Sequence, residues 1–392
     1  MSSAPCVAMP WSAGANPLNL TQLEVASGVV LGSVDEQPWP QDPRDPLDVL
    51  FEEARQILQR GRCIVAFSGG RDSSAVLATL LHVARHDGFP EPVAVTARWP
   101  GDAAADESAW QERVAGELCV QHWEILTPGT DFDLLGPLAL GLLQQHGLLW
   151  PAPMVALLPL VEAARGGVLV TGDGGDEVFG TWGMARVWSQ ARRGRRLRSA
   201  LRPIGGAALP GPLRRRRART RVRAYQTWLT AEARAAHEAA LAAEEVAVAP
   251  LWWPDYLHEV GSERGLSLGA ISHNAICASH ECTFSTPLLA PAFLAALAKR
   301  GGRFGLGDRT SAMRAVFSPL LSDDVLRRVS KATFAGVFWG PASREFAAEW
   351  DGAGLDARWV DADTLRAAWL EPTPVYGSAL PLHAAWLARH GP

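Results

Sequence analysis

Residues 63–74, with the sequence CIVAFSGGRDSS, join an apolar run to a glycine-containing turn. The run 63–67 has the length and the composition of a buried strand, and residues 71–86 have the apolar spacing of a helix that packs on a sheet. The glycines between them let a ligand approach the backbone, and the first amides of a helix have no partner within it. The stretch therefore predicts an anion-binding turn between a strand and a helix.

The same order of strand and helix recurs along the first half of the chain. Further strands are predicted at 92–99, 122–126 and 167–172, with helices at 45–61, 106–118 and across 133–165. Strands that alternate with helices predict a parallel sheet with helices on both faces. The expected fold class is therefore α/β, and ligands of such sheets bind at the carboxyl ends of the strands. Beyond residue 183 the pattern becomes helical, with helices predicted at 231–246, 286–300, 309–328 and 361–370.

A second glycine turn follows the predicted strand 167–172. Its sequence, TGDGGDEVFG at 171–180, places Asp173, Asp176 and Glu177 around two glycines. Carboxylates so close together repel one another unless a metal, another cation or shared protons are present. Asp72 in the first turn would also repel a phosphate unless a hard cation such as Mg²⁺ bridged the two. Neither turn is a Walker A loop, and the G-x-G-x-x-G dinucleotide pattern is absent from the first.

Composition and charge exclude several classes of protein. The chain has 392 residues, 48% of them apolar and 20% charged, which disfavours wholesale disorder and a polytopic membrane protein. Its net charge of −4 favours neither nucleic acid nor an anionic membrane as a partner. The five cysteines are scattered without a C-x-x-C pair, and no secretory signal is evident, so we expect a reducing, cytoplasmic location.

One segment departs from this balance. No acidic residue lies between Glu177 and Glu232, and the interval holds fourteen arginines. We consider three interpretations: a surface for an acidic peptide or a carrier-protein substrate, a solvated excursion, and a nucleic-acid-binding surface around residues 214–217 with Tyr225 and Trp228. The last is disfavoured by the acidic charge of the whole chain.

Histidines and cysteines alternate over residues 273–282. His273, Cys277, His280 and Cys282 are residue types that hold zinc, but their spacing fits no usual structural zinc site. The segment has the pattern of a buried helix. We therefore interpret these side chains as core packing.

The two glycine turns together resemble those of PP-loop ATP pyrophosphatases, specifically the synthetase domain of asparagine synthetases and the related β-lactam synthetases and lasso-peptide cyclases. Residues 68–73 match the S-G-G-x-D-S loop, and residues 172–179 match G-[DE]-G-x-D-E-[LV]-F. Weaker matches are Asp106-Glu107, Glu281 with the stretch 284–289, and the segment 330–334, which resembles K-x-G-F. The resemblance covers roughly residues 47–340 and implies a PP-loop fold with a helical C-terminal part.

The resemblance implies an ATP-dependent ligase that activates a carboxylate as an acyl-adenylate and passes the acyl group to an amine. ATP and Mg²⁺ are the implied cofactors. The residues that would bind the nucleotide are Ser68, Gly69, Gly70, Asp72, Ser73, Ser74, Gly172 and Gly174. Asp72 and Asp176 would hold the metal, which neutralises charge on the leaving pyrophosphate.

Three residues are the implied catalytic groups. Asp173 and Glu281 are candidates for positioning or deprotonating the amine. Lys331 would stabilise the charge that develops on the phosphoryl and tetrahedral groups. The chain has two lysines against thirty-five arginines, which draws attention to Lys331. The alternative interpretations are that Glu281 is a carboxylate on the face of a helix and that Lys331 is a solvated surface lysine.

The sequence pattern and the resemblance together predict a domain organisation. We expect an arm or linker at 1–46, an ATP-binding core at 47–183, an Arg-rich helical insertion at 184–255 and a helical completion at 256–392. Asparagine synthetases open with a glutaminase domain, and we expect none here. The amine is then free ammonia, a substrate amine, or ammonia from a partner protein. The hypotheses are an amide ligase of peptide or natural-product modification, a lasso-peptide-type macrolactam cyclase, an ammonia-dependent asparagine synthetase-like enzyme, and a non-catalytic ATP-binding partner protein.

Overall fold

A five-stranded parallel sheet forms the centre of the computed structural model. The residues that the structure describes are 15–35, 38–40, 44–98, 106–127, 132–180, 225–247, 250–328 and 337–391, with single positions between 182 and 216. The strand order is β3-β2-β1-β4-β5, and every pair is parallel. The strands are Cys63–Ala66 (β1), Val93–Ala97 (β2), Trp123–Leu126 (β3), Val168–Val170 (β4) and Thr283–Ser285 (β5). The predicted α/β class with a parallel sheet is confirmed.

Helices surround this sheet and continue beyond it. The first seven are Gln22–Ser27 (α1), Pro46–Gln59 (α2), Arg71–Asp87 (α3), Ser108–Glu117 (α4), Pro137–His146 (α5), Leu158–Ala163 (α6) and Gly175–Gly180 (α7). The later ones are Ala231–Ala247 (α8), Trp253–Ser262 (α9), Arg264–Ser279 (α10), Pro291–Gly301 (α11), Arg309–Phe317 (α12), Asp323–Arg327 (α13), Pro341–Glu349 (α14), Ala362–Leu370 (α15) and Ala379–His390 (α16). In the described part of the chain, no helix is both long enough and apolar enough to span a bilayer.

The strand order creates a switch point beside β1. The chain runs from β1 outward to β2 and β3, and then returns to the other side of β1 to form β4. Ile64 pairs with Val93 on one side and Leu169 on the other, and Ile64 and Leu169 are fully buried. The connections after β1 and β4 leave the sheet in different directions, which opens a crevice between them. The two glycine turns lie at this crevice.

Strand β5 and the helix after it differ from the sequence-based prediction. The sequence predicts one helix over residues 286–300 and no strand before it. In the structure Thr283–Ser285 forms a strand that pairs with β4, and helix α11 begins only at Pro291. A strand of three residues is too short to show an alternating pattern, and only its pairing with β4 defines it.

The prediction of an arm or linker at residues 1–46 is wrong for residues 15–35, which form a helix and pack into a core. Helix α1 begins with a capping box formed by Thr21 and Glu24, and Val25 is fully buried. Trp228, which belongs to the expected insertion, donates from Nε1 to the carbonyl of Ala26 at 2.7 Å. Both residues lie in a second apolar core, shared with α14, α15 and α16, that the sheet does not enter. Most of the arginines between 186 and 223 lie outside the described residues.

Candidate functional site

The first glycine turn, residues 68–73, wraps around the start of α3. The Ser73 hydroxyl donates to the carbonyl of Gly70 at 3.1 Å and accepts from the amide of Ser68 at 3.3 Å. The Ser68 hydroxyl accepts from the amide of Gly70 at 3.3 Å. Gly69 has φ +77°, a backbone conformation that side chains disfavour. Gly70 precedes α3 without a side-chain cap, so the first amides of this helix face the crevice and favour an anion there.

One aromatic side chain, Trp110, and one charged side chain, Arg328, bind the turn from outside. Trp110 of α4 donates from Nε1 to the carbonyl of Gly69 at 2.8 Å, and Arg328 donates to the same oxygen at 3.1 Å. Arg328 also stacks over the Trp110 ring, 4.8 Å from its centroid, and pairs with Glu107. Because the side chains of Arg328 and Glu107 are only 9% and 12% exposed, this ion pair is shielded from solvent and fixes the outer wall of the turn.

The second glycine turn packs directly on the first. A methyl group at Gly172 would lie 2.7 Å from the amide nitrogen of Ser73, and one at Gly175 would lie 2.3 Å from Cγ of Asp72. No side chain other than hydrogen fits at either position without moving the start of α3. The close approach brings Asp176, in the first turn of α7, to the same cation as Asp72.

Arg309 bridges the two carboxylates. Its Nη2 lies 2.5 Å from Oδ2 of Asp72, and its Nη1 contacts Oδ1 of Asp176. Burial raises the pKa of Asp72, and the Arg309 guanidinium partly offsets that rise. Burial also lowers the pKa of Arg309, but the two carboxylates outweigh burial and the net shift is upward. Arg309 is 237 residues from Asp72 in sequence, and no local pattern indicates its role.

The same carboxylates fit a divalent cation. Oδ1 of Asp72 is buried and has no hydrogen-bond partner, although a carboxylate oxygen accepts readily. Among the described residues, no group of three His, Cys, Asp or Glu side chains could hold a metal ion. Mg²⁺ usually binds one or two carboxylates and completes its shell with water and phosphate oxygens. Asp72 and Asp176 are therefore suited to bind Mg²⁺ together with a phosphate group.

A cavity of about 740 Å³ lies over both turns. It has room for a nucleotide and a second molecule, since ligand pockets usually measure about 300–1,000 Å³. The structure brings eight of the predicted site residues to its wall: Ser68, Gly70, Asp72, Ser73, Gly172, Asp173, Gly174 and Asp176. Gly69 supports the turn through its carbonyl, and Ser74 is fully buried beneath it, so neither lines the cavity. Lys331 lies outside the described residues.

Glu281 is not in the site, which corrects the prediction that it handles the amine. It lies between α10 and β5 with φ +58°, before the strand begins. Its carbonyl accepts from the amide of Gly166, which precedes β4, so it lies at the amino edge of the sheet, opposite the glycine turns. The side chain is 78% exposed and faces Arg165 at 3.8 Å.

His273 does reach the cavity, which corrects its interpretation as a core residue. Its Nε2 lies 3.8 Å from Oδ2 of Asp173, and its ring stacks on Phe284 of β5. Cys277 and Cys282 are buried in the core as expected. The pattern of a buried helix did not distinguish these two environments, because α10 faces the core with one side and the cavity with another.

The switch-point crevice, the uncapped helix start and the paired carboxylates define an α/β protein with an anion-binding site at the carboxyl ends of its strands. The family model described as asparagine synthase matches residues 50–378, and the chain therefore belongs to the asparagine synthase family. This is a family of ATP-dependent ligases that form carbon–nitrogen bonds. No curated protein gives a significant match to the sequence.

The position of Glu281 leads to a testable expectation. We expect Glu281→Gln to leave ATP-dependent turnover within about two-fold of the parent, because an exposed side chain at the far edge of the sheet has no contact with the nucleotide turns. A turnover assay on the purified variant measures this. A loss of ten-fold or more with an unchanged melting temperature would return Glu281 to the reaction.

Proposed function

We propose that the protein activates a substrate carboxylate by adenylation, with release of pyrophosphate, and then transfers the acyl group to an amine, with release of AMP. The observation that carries this proposal is the convergence of Asp72 and Asp176 beside the uncapped start of α3. Such a site binds the charge of a polyphosphate together with a metal. That pyrophosphate rather than a single phosphate leaves is what the resemblance to PP-loop ATP pyrophosphatases implies.

The residues of the site have distinct parts in this reaction. The amides at the start of α3 and the hydroxyls of Ser68 and Ser73 would bind the departing pyrophosphate. Asp72 and Asp176 would hold Mg²⁺, which supplies charge neutralisation for the phosphates when it is bound. Asp173, which also lines the cavity, would receive the amine.

The walls of the cavity support a substrate with an apolar body. Among the described lining residues, the arginines Arg71, Arg309 and Arg328 belong to the phosphate end, through contacts with the first turn and its helix. The lining also includes apolar side chains such as Trp150 and Leu266. Beyond these three arginines, no described lining arginine or lysine is left for the α-carboxylate of aspartate. We therefore favour peptide or natural-product modification, including macrolactam formation, over asparagine synthesis with free ammonia.

A pyrophosphate-exchange screen tests the proposed function. The purified chain is incubated with ATP, Mg²⁺, labelled pyrophosphate and a panel of carboxylates that includes aromatic acids, peptide carboxylates and aspartate. Label should enter ATP only with the accepted carboxylates, and added hydroxylamine should yield a hydroxamate and AMP. Formation of ADP and phosphate, or no exchange with any carboxylate, would contradict the proposal. Best exchange with aspartate would instead support the asparagine synthetase-like alternative.

Lys331 leads to a separate prediction that rests on the family resemblance. Lys331→Ala and Lys331→Arg should bind ATP almost as well as the parent and lose amide formation by about 10²-fold or more, because a charge-stabilising group acts mainly in the transition state. The planar Arg fork does not replace the compact ammonium. Calorimetric ATP titration and a product assay measure the two effects. Weakened ATP binding with an unchanged single-turnover rate would place Lys331 outside the chemical step. Lys299→Ala, the same change at the other lysine, is the control.

A further inference from the structure

We propose that His273 accepts the proton of the attacking amine, and that Asp173 orients that amine beside it. This inference rests on the proposed function and deepens it, because it names the group that makes the amine reactive. It also replaces Glu281 in that role. Among the described residues that line the cavity, His273 is the only histidine.

The hydrogen bonding of His273 fixes which ring nitrogen faces the cavity. Its Nδ1 lies 2.7 Å from the carbonyl oxygen of Gly269, one turn earlier in α10. A carbonyl oxygen only accepts, so Nδ1 carries the hydrogen. In the neutral ring Nε2 then has a free lone pair, and this is the nitrogen on the side of Asp173. The imidazole is therefore held in the tautomer that accepts a proton from the cavity.

Packing fixes the ring in this orientation. The imidazole stacks on Phe284 with ring centroids 4.4 Å apart and planes inclined by 14°. Phe284 belongs to β5, which pairs with β4, the strand that leads into the second glycine turn. The His273 side chain is 16% exposed, so little rotation is available to it. The sheet thus holds His273 and the glycine turn in a fixed relation.

Asp173 is held at the opposite side of the same gap. Its Oδ2 accepts from the hydroxyl of Thr171 at 2.8 Å, and it lies 3.8 Å from Nε2 of His273. That distance is too long for a direct hydrogen bond. A nitrogen with two or more hydrogens could donate to both groups from one side of the gap. The carboxylate also favours a positively charged amine at the site before the proton is removed.

The proposed step balances in atoms and charge. The bound ammonium first gives one proton to Nε2 of His273. The neutral nitrogen then attacks the acyl carbon of the adenylate, a C–N bond forms, and the carbonyl π electrons move to oxygen. The nitrogen, now positively charged, releases its second proton to water. As the carbonyl re-forms, the C–O bond to phosphate breaks and AMP leaves with that electron pair. Proton transfer of this kind contributes about 10²–10⁴-fold to such reactions.

The chain offers a matched control at the end of the same helix. His280 repeats the local geometry of His273: its Nδ1 lies 2.9 Å from the carbonyl of Ile276, and its Nε2 lies 3.3 Å from a carboxylate, that of Glu162. Its side chain is also 16% exposed, but His280 does not line the cavity. His280→Gln therefore removes an imidazole of equal exposure from the same helix without touching the proposed site.

The test compares activation with acyl transfer in both variants. Pyrophosphate exchange with an accepted carboxylate measures activation, and amide formation is followed with two probe nucleophiles, methylamine and hydroxylamine. Methylamine is protonated at neutral pH and needs a base, whereas hydroxylamine is largely neutral and needs little help. For His273→Gln we expect exchange and hydroxamate formation within about three-fold of the parent, and methylamide formation lowered by about 10²-fold or more. His280→Gln should match the parent in all three assays.

The other outcomes are informative in different ways. Equal loss of exchange and methylamide formation in His273→Gln, or no loss of either, would overturn the role of His273 and leave the proposed function standing. Equal loss with both nucleophiles would also overturn it, because a proton acceptor acts selectively. Absence of exchange in the parent with every carboxylate would overturn the proposed function, and with it this inference.

Discussion

Asp72→Asn is expected to abolish ATP–pyrophosphate exchange, with a loss of about 10³-fold or more, while the fold stays intact. Asp72 lies at the start of α3, shares Arg309 with Asp176, and has a buried Oδ1 without a partner. An amide at this position has lost the negative charge that a divalent cation requires, and it offers one acceptor oxygen instead of two. Initial rates of exchange, and nucleotide binding with and without Mg²⁺, measure the change.

The same variant should be at least as stable as the parent at neutral pH. Burial raises the pKa of Asp72, so the ionised carboxylate is less favourable in the folded protein than in the unfolded chain. At a pH above the pKa that Asp72 has in the unfolded chain, its ionised carboxylate lowers the free energy of unfolding. This loss of stability disappears as the pH falls through the raised pKa of the folded protein, because Asp72 is then protonated. The stability advantage of Asp72→Asn should therefore shrink on acidification. Thermal unfolding at neutral and mildly acidic pH measures it.

A control for this variant lies on the same helix. Asp87 ends α3, where it pairs with Arg55 at 2.6 Å, far from the glycine turns. Asp87→Asn should keep the exchange rate of the parent. Normal exchange in Asp72→Asn would contradict the metal-binding assignment, and equal loss in both variants would indicate damage to the helix instead of the site.

The order of strands and helices was predictable because the central elements carry strong local patterns. Strand β1 is buried on both faces, so its sequence is a continuous apolar run, and α3 shows a clear apolar stripe before Gly88 ends it. Strand β5 has no such pattern, because only three residues pair with β4. Residues 15–35 were misjudged for another reason: their burial depends on α16, which lies at the other end of the chain.

The candidate site was predictable only where its residues are close in sequence. Each glycine turn carries its own chemistry, so Asp72 and Asp176 were found from local sequence. Arg309 was missed because its contact with Asp72 is made by the tertiary fold. The prediction for Glu281 was wrong because sequence spacing did not reveal that α10 ends at the amino edge of β5. The C-terminal end of α10 lies away from the cavity, whereas His273, in the middle of the helix, lines the cavity.

Gly172→Ala should damage the site without removing any functional group. A methyl group there would lie 2.7 Å from the amide nitrogen of Ser73 and 2.9 Å from the carbonyl carbon of Asp72. Both atoms belong to the backbone of the first turn of α3, so a rotamer change gives no relief. The two glycine turns must move apart, at a cost of about 1–3 kcal/mol in the free energy of unfolding. A displacement of about 1 Å between catalytic groups is enough to lower the rate by about 10²-fold.

The expected result is therefore a loss of pyrophosphate exchange of about 10²-fold, together with a lower melting temperature. Gly141→Ala is the matched control, because Gly141 lies inside α5 and a methyl group there would meet nothing within 4 Å. Since alanine is the better helix former by up to about 1 kcal/mol, this control should be slightly more stable than the parent and equally active. Parent-like exchange in Gly172→Ala would show that the two turns tolerate separation. The close contact between them would then have no part in bringing Asp72 and Asp176 to one cation.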